Sequence, residues 1–239
     1  MPAKDPVVVS AHRCGAGDDV AGQNGLHALE HSLALGVDYI EFDVRRLPDG
    51  RLVVSHDVPG EGLDLIEYDA VLTALDGRAG AHIDLKTEGC ELEVVRRALE
   101  VLPADRIVAT TGSEAGCRAL VEFARAEGLP LRVGLSLGPN VKGLTPWRAV
   151  LFLRRQLFPT ARLAASGANV VCAQHWLAAL TLRRFARRRG LDLLVWTVDS
   201  PTELRWWLRP GRAWMVTTNH PDRALSFEHR RRRRDLARP

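Results

Sequence analysis

The chain alternates short apolar runs with longer amphipathic stretches, and this pattern limits the possible folds more than any other feature. Eight apolar runs have the length of strands: Val7–Ala11, Tyr39–Val44, Ala81–Leu85, Ile107–Thr110, Leu131–Leu135, Asn169–Ala173, Leu193–Val198 and Trp214–Thr217. Helical stretches separate them: Gly25–Leu35, Leu92–Leu102, Glu114–Glu127, Trp147–Gln156, Ala178–Arg189, Pro201–Leu208 and Pro221 onward. Such alternation is typical of a parallel sheet, because its strands are joined by crossover helices that cover the sheet.

Eight strands that alternate with helices predict an α/β protein of the (β/α)₈ TIM-barrel type, built as a single domain. Leu52–Ser55 predicts an extra strand, hairpinned to the second strand through the turn signal Pro48-Asp49-Gly50. We place the barrel at residues 1–227 and a basic tail at residues 228–239. A doubly wound open sheet is the alternative, although no glycine-rich phosphate fingerprint follows the first strand.

The net charge of +4 comes from the tail, since residues 228–239 hold six Arg and two acids and the rest of the chain sums to zero. We expect the tail to be frayed, or alternatively to bind anionic lipid or nucleic acid. The remaining body lacks the basic signature of a nucleic-acid-binding domain. The N-terminus is not signal-like, no apolar run has membrane length, and the four cysteines form no Cys-x-x-Cys pair. These features predict a soluble, cytoplasmic protein with reduced thiols.

Polar side chains end several of the predicted strands, where barrel enzymes carry their catalytic groups. The residues at these strand ends are His12-Arg13, Glu41 and Asp43, His56-Asp57, Asp84 and Lys86, Trp196–Asp199 and Thr217–Asn219. Side chains alternate along a strand, so Glu41 and Asp43 face the same way, as do Asp84 and Lys86. Two buried carboxylates repel each other and lose hydration, and a divalent cation relieves both penalties.

Three carboxylates suit a hard cation such as Mg²⁺ or Ca²⁺, and two histidines beside it suit general acid–base catalysis. Lys86 is one of three lysines among 33 basic residues, which favours a role for its compact point charge. The alternative is a structural ion pair between Lys86 and Asp84.

The motifs resemble the glycerophosphodiester phosphodiesterase family. The dense part of the resemblance follows His12-Arg13 and comprises GVDYIEFDV at 36–44 and DGRLVVSHD at 49–57, with sparser matches at 83–86, 195–199 and 216–221. The resemblance implies a (β/α)₈ barrel with one divalent cation, Mg²⁺ or Ca²⁺. It also implies hydrolysis of glycerophosphodiesters to sn-glycerol 3-phosphate and an alcohol, within glycerol and lipid metabolism.

Carried over residue by residue, the resemblance implies three roles. Glu41, Asp43 and Asp84 would hold the metal, and His12 and His56 would be the acid–base pair. Arg13 and Lys86 would bind the phosphate, and Trp196 would line the pocket. The expected partner is a small-molecule or lipid-derived phosphodiester, with weak contact to an anionic membrane surface as an option and no nucleic acid.

Several positions depart from the family pattern and leave the headgroup open. Cys14 replaces a glycine, Gln23-Asn24-Gly25 replaces Glu-Asn-Thr, and Asp84 replaces a common Glu, as in the related phospholipase D toxins (sphingomyelinase D). The alternatives are therefore phospholipase D-like or lyase action on lysophospholipids, giving a cyclic phosphate, and a non-catalytic phosphodiester-binding barrel. Two weaker signals are His175, a further pocket candidate, and LTPWRAVLFLRRQLF at 144–158, a barrel helix or alternatively an interfacial one.

Overall fold

A computed structural model describes residues 6–60, 65–139 and 141–227 of the protein. Its parallel strands are β1 (Val8–Ala11), β2 (Tyr39–Arg46), β4 (Gly80–Leu85), β5 (Ile107–Thr111), β6 (Arg132–Leu137), β7 (Val170–Gln174), β8 (Asp192–Trp196) and β9 (Met215–Thr218). Strand β1 pairs with both β9 and β2, which closes the sheet into a barrel. The predicted (β/α)₈ barrel is confirmed, and the open sheet is excluded.

The remaining strand and the helices complete the architecture. Strand β3 (Leu52–Val54) pairs antiparallel with β2, as the predicted hairpin requires. The helices are α1 (Leu26–Leu35), α2 (Tyr68–Leu75), α3 (Glu91–Val101), α4 (Glu114–Ala126), α5 (Pro146–Leu157), α6 (Thr160–Ser166), α7 (His175–Leu177), α8 (Arg183–Arg189) and α9 (Pro201–Trp207). Short 3₁₀ turns span His12–Gly15 and Ala104–Arg106, a π-helical turn spans Ala178–Leu182, and residues 221–227 are helical.

Every predicted strand is present, with its ends within two residues of those expected. Helices α2 and α6 were not predicted, because each has only two turns and so gives little periodic signal. None of the described helices is long and apolar enough to cross a membrane. The predicted tail, 228–239, and the first five residues of the predicted barrel range lie outside the described residues.

Strand β2 shows how the barrel separates two kinds of buried position. Ile40 and Phe42 join the large core between the strands and the helices. Tyr39 belongs instead to a small apolar cluster inside the barrel, which is made of Tyr39, Val108, Val170, Cys172, Leu194 and Met215. Glu41 and Asp43 follow Tyr39 at every second position and therefore also point inward, above that cluster. The barrel interior thus changes from apolar to polar towards the carboxyl ends of the strands, which we call the mouth.

Candidate active site

A cavity of about 640 Å³ opens at the mouth of the barrel. Its lining includes all eight residues that the sequence predicted: His12, Arg13, Glu41, Asp43, His56, Asp84, Lys86 and Trp196. These residues come from five strands or the segments that follow them, so only the closed barrel brings them together. The cavity is where (β/α)₈ enzymes place their chemistry.

Three carboxylates form an acidic cluster in this cavity. Asp43 and Asp84 are register partners on neighbouring strands, and Glu41 lies two residues before Asp43. Each carboxylate offers an oxygen atom that lies within 4.8 Å of the others. Burial raises the pKa of Glu41 well above its ordinary value, and the charges of Asp43 and Asp84 raise it further. The cluster is therefore a site where negative charge is costly unless cations are near.

Two basic side chains meet part of that need. Lys86 Nζ lies 3.0 Å from Asp43 Oδ1 and 2.5 Å from Asp84 Oδ2. Arg13 Nε lies 3.3 Å from Asp43 Oδ2, while the Arg13 backbone N–H donates a hydrogen bond to Glu41. Burial alone would raise the pKa of Asp43, but Lys86, Asn24 and Arg13 outweigh it and hold that pKa below its ordinary value. Lys86 thus forms the ion pair expected as a structural alternative, and it reaches a second carboxylate as well.

The charge balance of the cluster fits a divalent cation. Three carboxylates outnumber the two cations, Arg13 and Lys86, so the ionised site carries one net negative charge. A buried set of carboxylate oxygens with excess negative charge is the donor set that Mg²⁺ and Ca²⁺ prefer. The residues present therefore fit one such ion.

Two further residues support the cluster, and sequence reasoning did not assign them a role. Asn24 donates from Nδ2 to Asp43 Oδ2 (2.9 Å) and accepts from the Asp43 backbone N–H (3.3 Å). Gln23 Oε1 accepts a hydrogen bond from Arg13 Nη1 (2.8 Å). The departure from the family pattern at 23–25 therefore falls within the site. The position of Gln23 and Asn24 within the family motif was the one sequence signal that could have indicated their role.

The turn after β1 has a left-handed backbone. Arg13 and Cys14 have φ angles of 46° and 67°, in the region that favours glycine. Cys14 thus occupies, with a side chain, the position where the family pattern has glycine, and its carbonyl accepts from Ser32 Oγ (2.7 Å). Burial, with Glu41 and Asp43 nearby, strongly raises the pKa of the Cys14 thiol. A protonated, fully buried thiol is unsuited to act as a nucleophile.

His12 is held by a chain of hydrogen bonds to the segments that follow β9 and β8. Its Nδ1 lies 2.8 Å from Asn219 Oδ1, and Asn219 Nδ2 donates to Asp199 Oδ2 at 2.8 Å. An ionised carboxylate only accepts, so the Asn219 nitrogen must face Asp199 and its oxygen must face His12. The His12 Nδ1 therefore carries the proton, and Nε2, 3.9 Å from Glu41 Oε2, has the free lone pair when the ring is neutral. Burial lowers the pKa of His12, which favours that neutral form.

His56 lies on the other side of the cavity and is held more loosely. Its side chain is 40% exposed, and Nδ1 pairs with Asp57 Oδ1 at 2.9 Å. Its backbone carbonyl accepts from Arg45 Nε (3.1 Å) and Nη2 (2.7 Å). Arg45 therefore fixes the main chain at His56. The His56 ring itself pairs with Asp57, whose side chain is 91% exposed.

The outer part of the cavity is lined by Trp196 and by residues that sequence reasoning did not include. A Cβ at Gly138 would lie 3.0 Å from the Trp196 ring, so glycine there makes room for the indole. Phe152, Arg155 and Arg162 also line the cavity. His175 does not, because it pairs with Glu203 at 3.1 Å, so its interpretation as a pocket residue is wrong.

Comparison with known proteins agrees with these observations. Residues 12–64 match the glycerophosphoryl diester phosphodiesterase family. A 52-residue stretch, 22% of this chain and 15% of the relative, is 42% identical to lysophospholipase D GDPD3 of Mus musculus. The chain therefore matches only a small part of that relative's length.

Solved structures extend the likeness to the whole barrel. A glycerophosphodiester phosphodiesterase from Parabacteroides distasonis has a TM-score of 0.70 at 20% identity, over 96% of this chain and 99% of that one. An Oleispira antarctica phosphodiesterase in complex with the product sn-glycerol-3-phosphate has a TM-score of 0.66 at 16% identity, over 94% and 97% of the two chains. At such identities these likenesses show the fold. The family match over residues 12–64 agrees with the resemblance drawn from the sequence, and the solved structures confirm the barrel that the resemblance implies.

Proposed function

We propose that this chain is a metal-dependent phosphodiesterase that hydrolyses glycerophosphodiesters to sn-glycerol 3-phosphate and an alcohol. The observation that carries the proposal is the cluster of Glu41, Asp43 and Asp84, with oxygens within 4.8 Å of one another, in a cavity that both His12 and His56 line. A non-catalytic barrel is less well supported, because it would not require two histidines at the rim of a buried acidic cluster.

The acidic cluster would hold one divalent cation, Mg²⁺ or Ca²⁺, through its three carboxylates. Such an ion supplies Lewis-acid polarisation of phosphoryl oxygens and neutralises their charge. Its two positive charges would change the net charge of the cluster from one negative to one positive. This complements the single negative charge of a phosphodiester.

Arg13 and Lys86 would bind the phosphate oxygens, because both cations stand at the cluster on the cavity side. Donors already in position stabilise the charge that develops in the transition state without costly reorganisation. Trp196 would provide an apolar wall for the glycerol or its substituent.

The two histidines would divide the proton transfers. His12 Nε2 would accept the proton of the attacking hydroxyl as its oxygen bonds to phosphorus. The attacking hydroxyl would be a water or the neighbouring glycerol hydroxyl; in the second case a cyclic phosphate forms, and a water must then open it to give glycerol 3-phosphate. His56, protonated beforehand, would donate its proton to the leaving alkoxide as the P–O bond breaks. General acid–base catalysis of this kind contributes roughly 10²–10⁴-fold for each group.

A second candidate is phospholipase D-like or lyase action on lysophospholipids, which yields a lipid phosphate or a cyclic phosphate. The support for this candidate is the mouse relative, which is a lysophospholipase D and is 42% identical to this chain over 52 residues. The two candidates share the site and differ in product. A cytoplasmic location and a role in glycerol and lipid metabolism stay predictions.

The test is the release of glycerol 3-phosphate from glycerophosphocholine, glycerophosphoethanolamine and glycerophosphoglycerol, with Mg²⁺, with Ca²⁺ and with EDTA. We expect release that requires the cation and is lost in Glu41→Gln. Glu91→Gln is the matched control, since Glu91 is also buried but does not line the cavity. Calorimetric titration of both variants measures cation binding separately. A wild-type protein that binds neither cation would overturn the proposal, while cation binding without release would favour lysolipid substrates.

A further inference from the structure

Helix α5 lies on the surface although it is rich in apolar residues. Within Pro146–Leu157 the one buried residue is polar, Gln156. In contrast, Trp147, Val150 and Leu151 are 61%, 65% and 50% exposed. These three are spaced so that they share one side of the helix, and exposed Leu144 and Phe158 flank it. We call these five residues the α5 face.

The α5 face belongs to the mouth of the barrel. Phe152 and Arg155 of the same helix line the cavity. Ten large hydrophobic side chains are exposed among the described residues, and five of them form the α5 face. Val20, between β1 and α1, and Val58, two residues after His56, are the most exposed of the others. Exposed apolar side chains therefore collect around the opening, where soluble enzymes rarely keep them without a function.

Charge is also separated along the chain. Residues 128–191 contain eleven Lys and Arg and no Asp or Glu, whereas residues 1–127 and 192–227 together sum to −11. Within that acid-free segment α5 carries Arg148, Arg154 and Arg155, and no described carboxylate forms an ion pair with any of them. Arg148 lies over the Trp147 ring, 5.3 Å from its centroid. The neutral total of the body thus conceals a basic, apolar surface next to the cavity.

We propose that the α5 face inserts into the surface of an anionic phospholipid membrane and holds the mouth of the barrel against it. A helix with Trp, Leu and Val on one side, accompanied by arginines, matches the interfacial helices that bind anionic bilayers. A protein partner would explain the apolar side chains but not the absence of acids. A nucleic acid would explain the arginines but not the aliphatic residues.

Membrane docking also indicates a substrate class for the proposed phosphodiesterase; this part of the inference rests on the proposed function. The mouth would open towards lipids, and the apolar Phe152 and Trp196 in the cavity lining would contact a substituent larger than glycerol. Lysophospholipids, which are glycerophosphodiesters that keep one acyl chain, would then reach the acidic cluster directly from the bilayer.

The first experiment is flotation of the full-length protein with vesicles of phosphatidylcholine, with or without phosphatidylglycerol. We expect flotation with the anionic vesicles alone, and about tenfold weaker partitioning for W147E/L151E and for R148E/R154E. The matched control is R187E/R188E on α8, which makes the same charge change as R148E/R154E at exposed arginines away from the cavity. The control should float like the wild type.

The arginine-rich segment 230–234 requires its own control. A variant with these five arginines replaced by Gln should still float with anionic vesicles. Flotation that depends on this segment and not on the α5 face would overturn the proposal, as would equal flotation on neutral vesicles or no flotation at all.

Activity separates this inference from the proposed function. W147E/L151E should keep wild-type activity on soluble glycerophosphocholine but lose most activity on lysophosphatidylglycerol embedded in vesicles. Equal loss on both substrates would count against docking, because it would indicate a damaged site. A wild type that floats but hydrolyses neither substrate would leave docking intact and refute the phosphodiesterase.

Discussion

The two histidines at the mouth show two ways of holding the same side chain. His12 is largely buried, and its ring is oriented by Asn219 and Asp199 from the opposite end of the chain. His56 is 40% exposed, and its ring pairs with the neighbouring, exposed Asp57 at 2.9 Å. The first is built into the junction of β1 and β9, and the second is carried by the segment after β3.

This difference indicates which proton transfer the barrel prepares in advance. A base must present a lone pair in one direction, and the Asn219–Asp199 chain fixes both the tautomer and the ring of His12. A general acid must also take up a proton from solvent in each cycle, which an exposed ring does more easily. Mutation of the residues that support each ring should therefore have a larger effect on the side of His12 than on the side of His56.

The largest effect is expected from removing either ring. His12→Ala and His56→Ala should each lower kcat for a glycerophosphodiester by about 10²–10⁴-fold, because each loses one proton transfer. Thermal unfolding should change little for His56→Ala. His31→Ala, at an exposed position on α1, is the control. A site variant that keeps more than a tenth of wild-type activity would remove that histidine from the mechanism.

The next effect tests the support of His12. Asp199→Asn would let the Asn219 amide reverse, so that its nitrogen faces His12 and shifts the ring proton to Nε2. We expect kcat to fall by about 10–100-fold, the range typical of partners that orient a functional histidine. The ¹⁵N chemical shifts of His12 report the tautomer directly. An unchanged tautomer together with reduced activity would show that Asp199 acts through stability instead.

A smaller effect is expected on the side of His56. Arg45→Ala removes two hydrogen bonds to the His56 carbonyl, which should loosen the segment and lower kcat/KM by about tenfold, equivalent to roughly 1.4 kcal/mol. Arg46→Ala is the matched control, because Arg46 pairs with Glu93 at the surface. If the two variants behave alike, Arg45 has no specific role at the site.

The smallest effect is expected for Asp57→Asn. The His56–Asp57 pair is exposed, and exposed ion pairs contribute little, so activity should change by no more than about threefold. A loss as large as that of Asp199→Asn would break the comparison, since it would mean that His56 is as tightly oriented as His12. The measurement is kcat/KM as a function of pH for Asp57→Asn and for Asp199→Asn, each compared with the wild type.

Much of the molecule could be predicted from local sequence patterns. Apolar runs at strand length located all eight barrel strands, because burial between helices demands apolar residues wherever a strand runs. Alternation within β2 placed Glu41 and Asp43 on one inward side, and the rule that chemistry lies at strand ends brought in Asp84 and Lys86. Helices α2 and α6 escaped this reasoning, since two turns hold too few apolar repeats.

The sequence by itself determined the strands, the hairpin and the eight candidate residues at strand ends, because periodicity and strand ends are properties of neighbouring residues. Only the tertiary structure decided that Asn219 orients His12 from 207 positions away, that Asn24 supports Asp43, and that His175 turns to Glu203. It also decided that α5, in the crossover between β6 and β7, lies exposed beside the cavity. The physical reason is closure: when β1 pairs with β9, distant segments become neighbours, and the spacing along the chain no longer indicates which side chains meet.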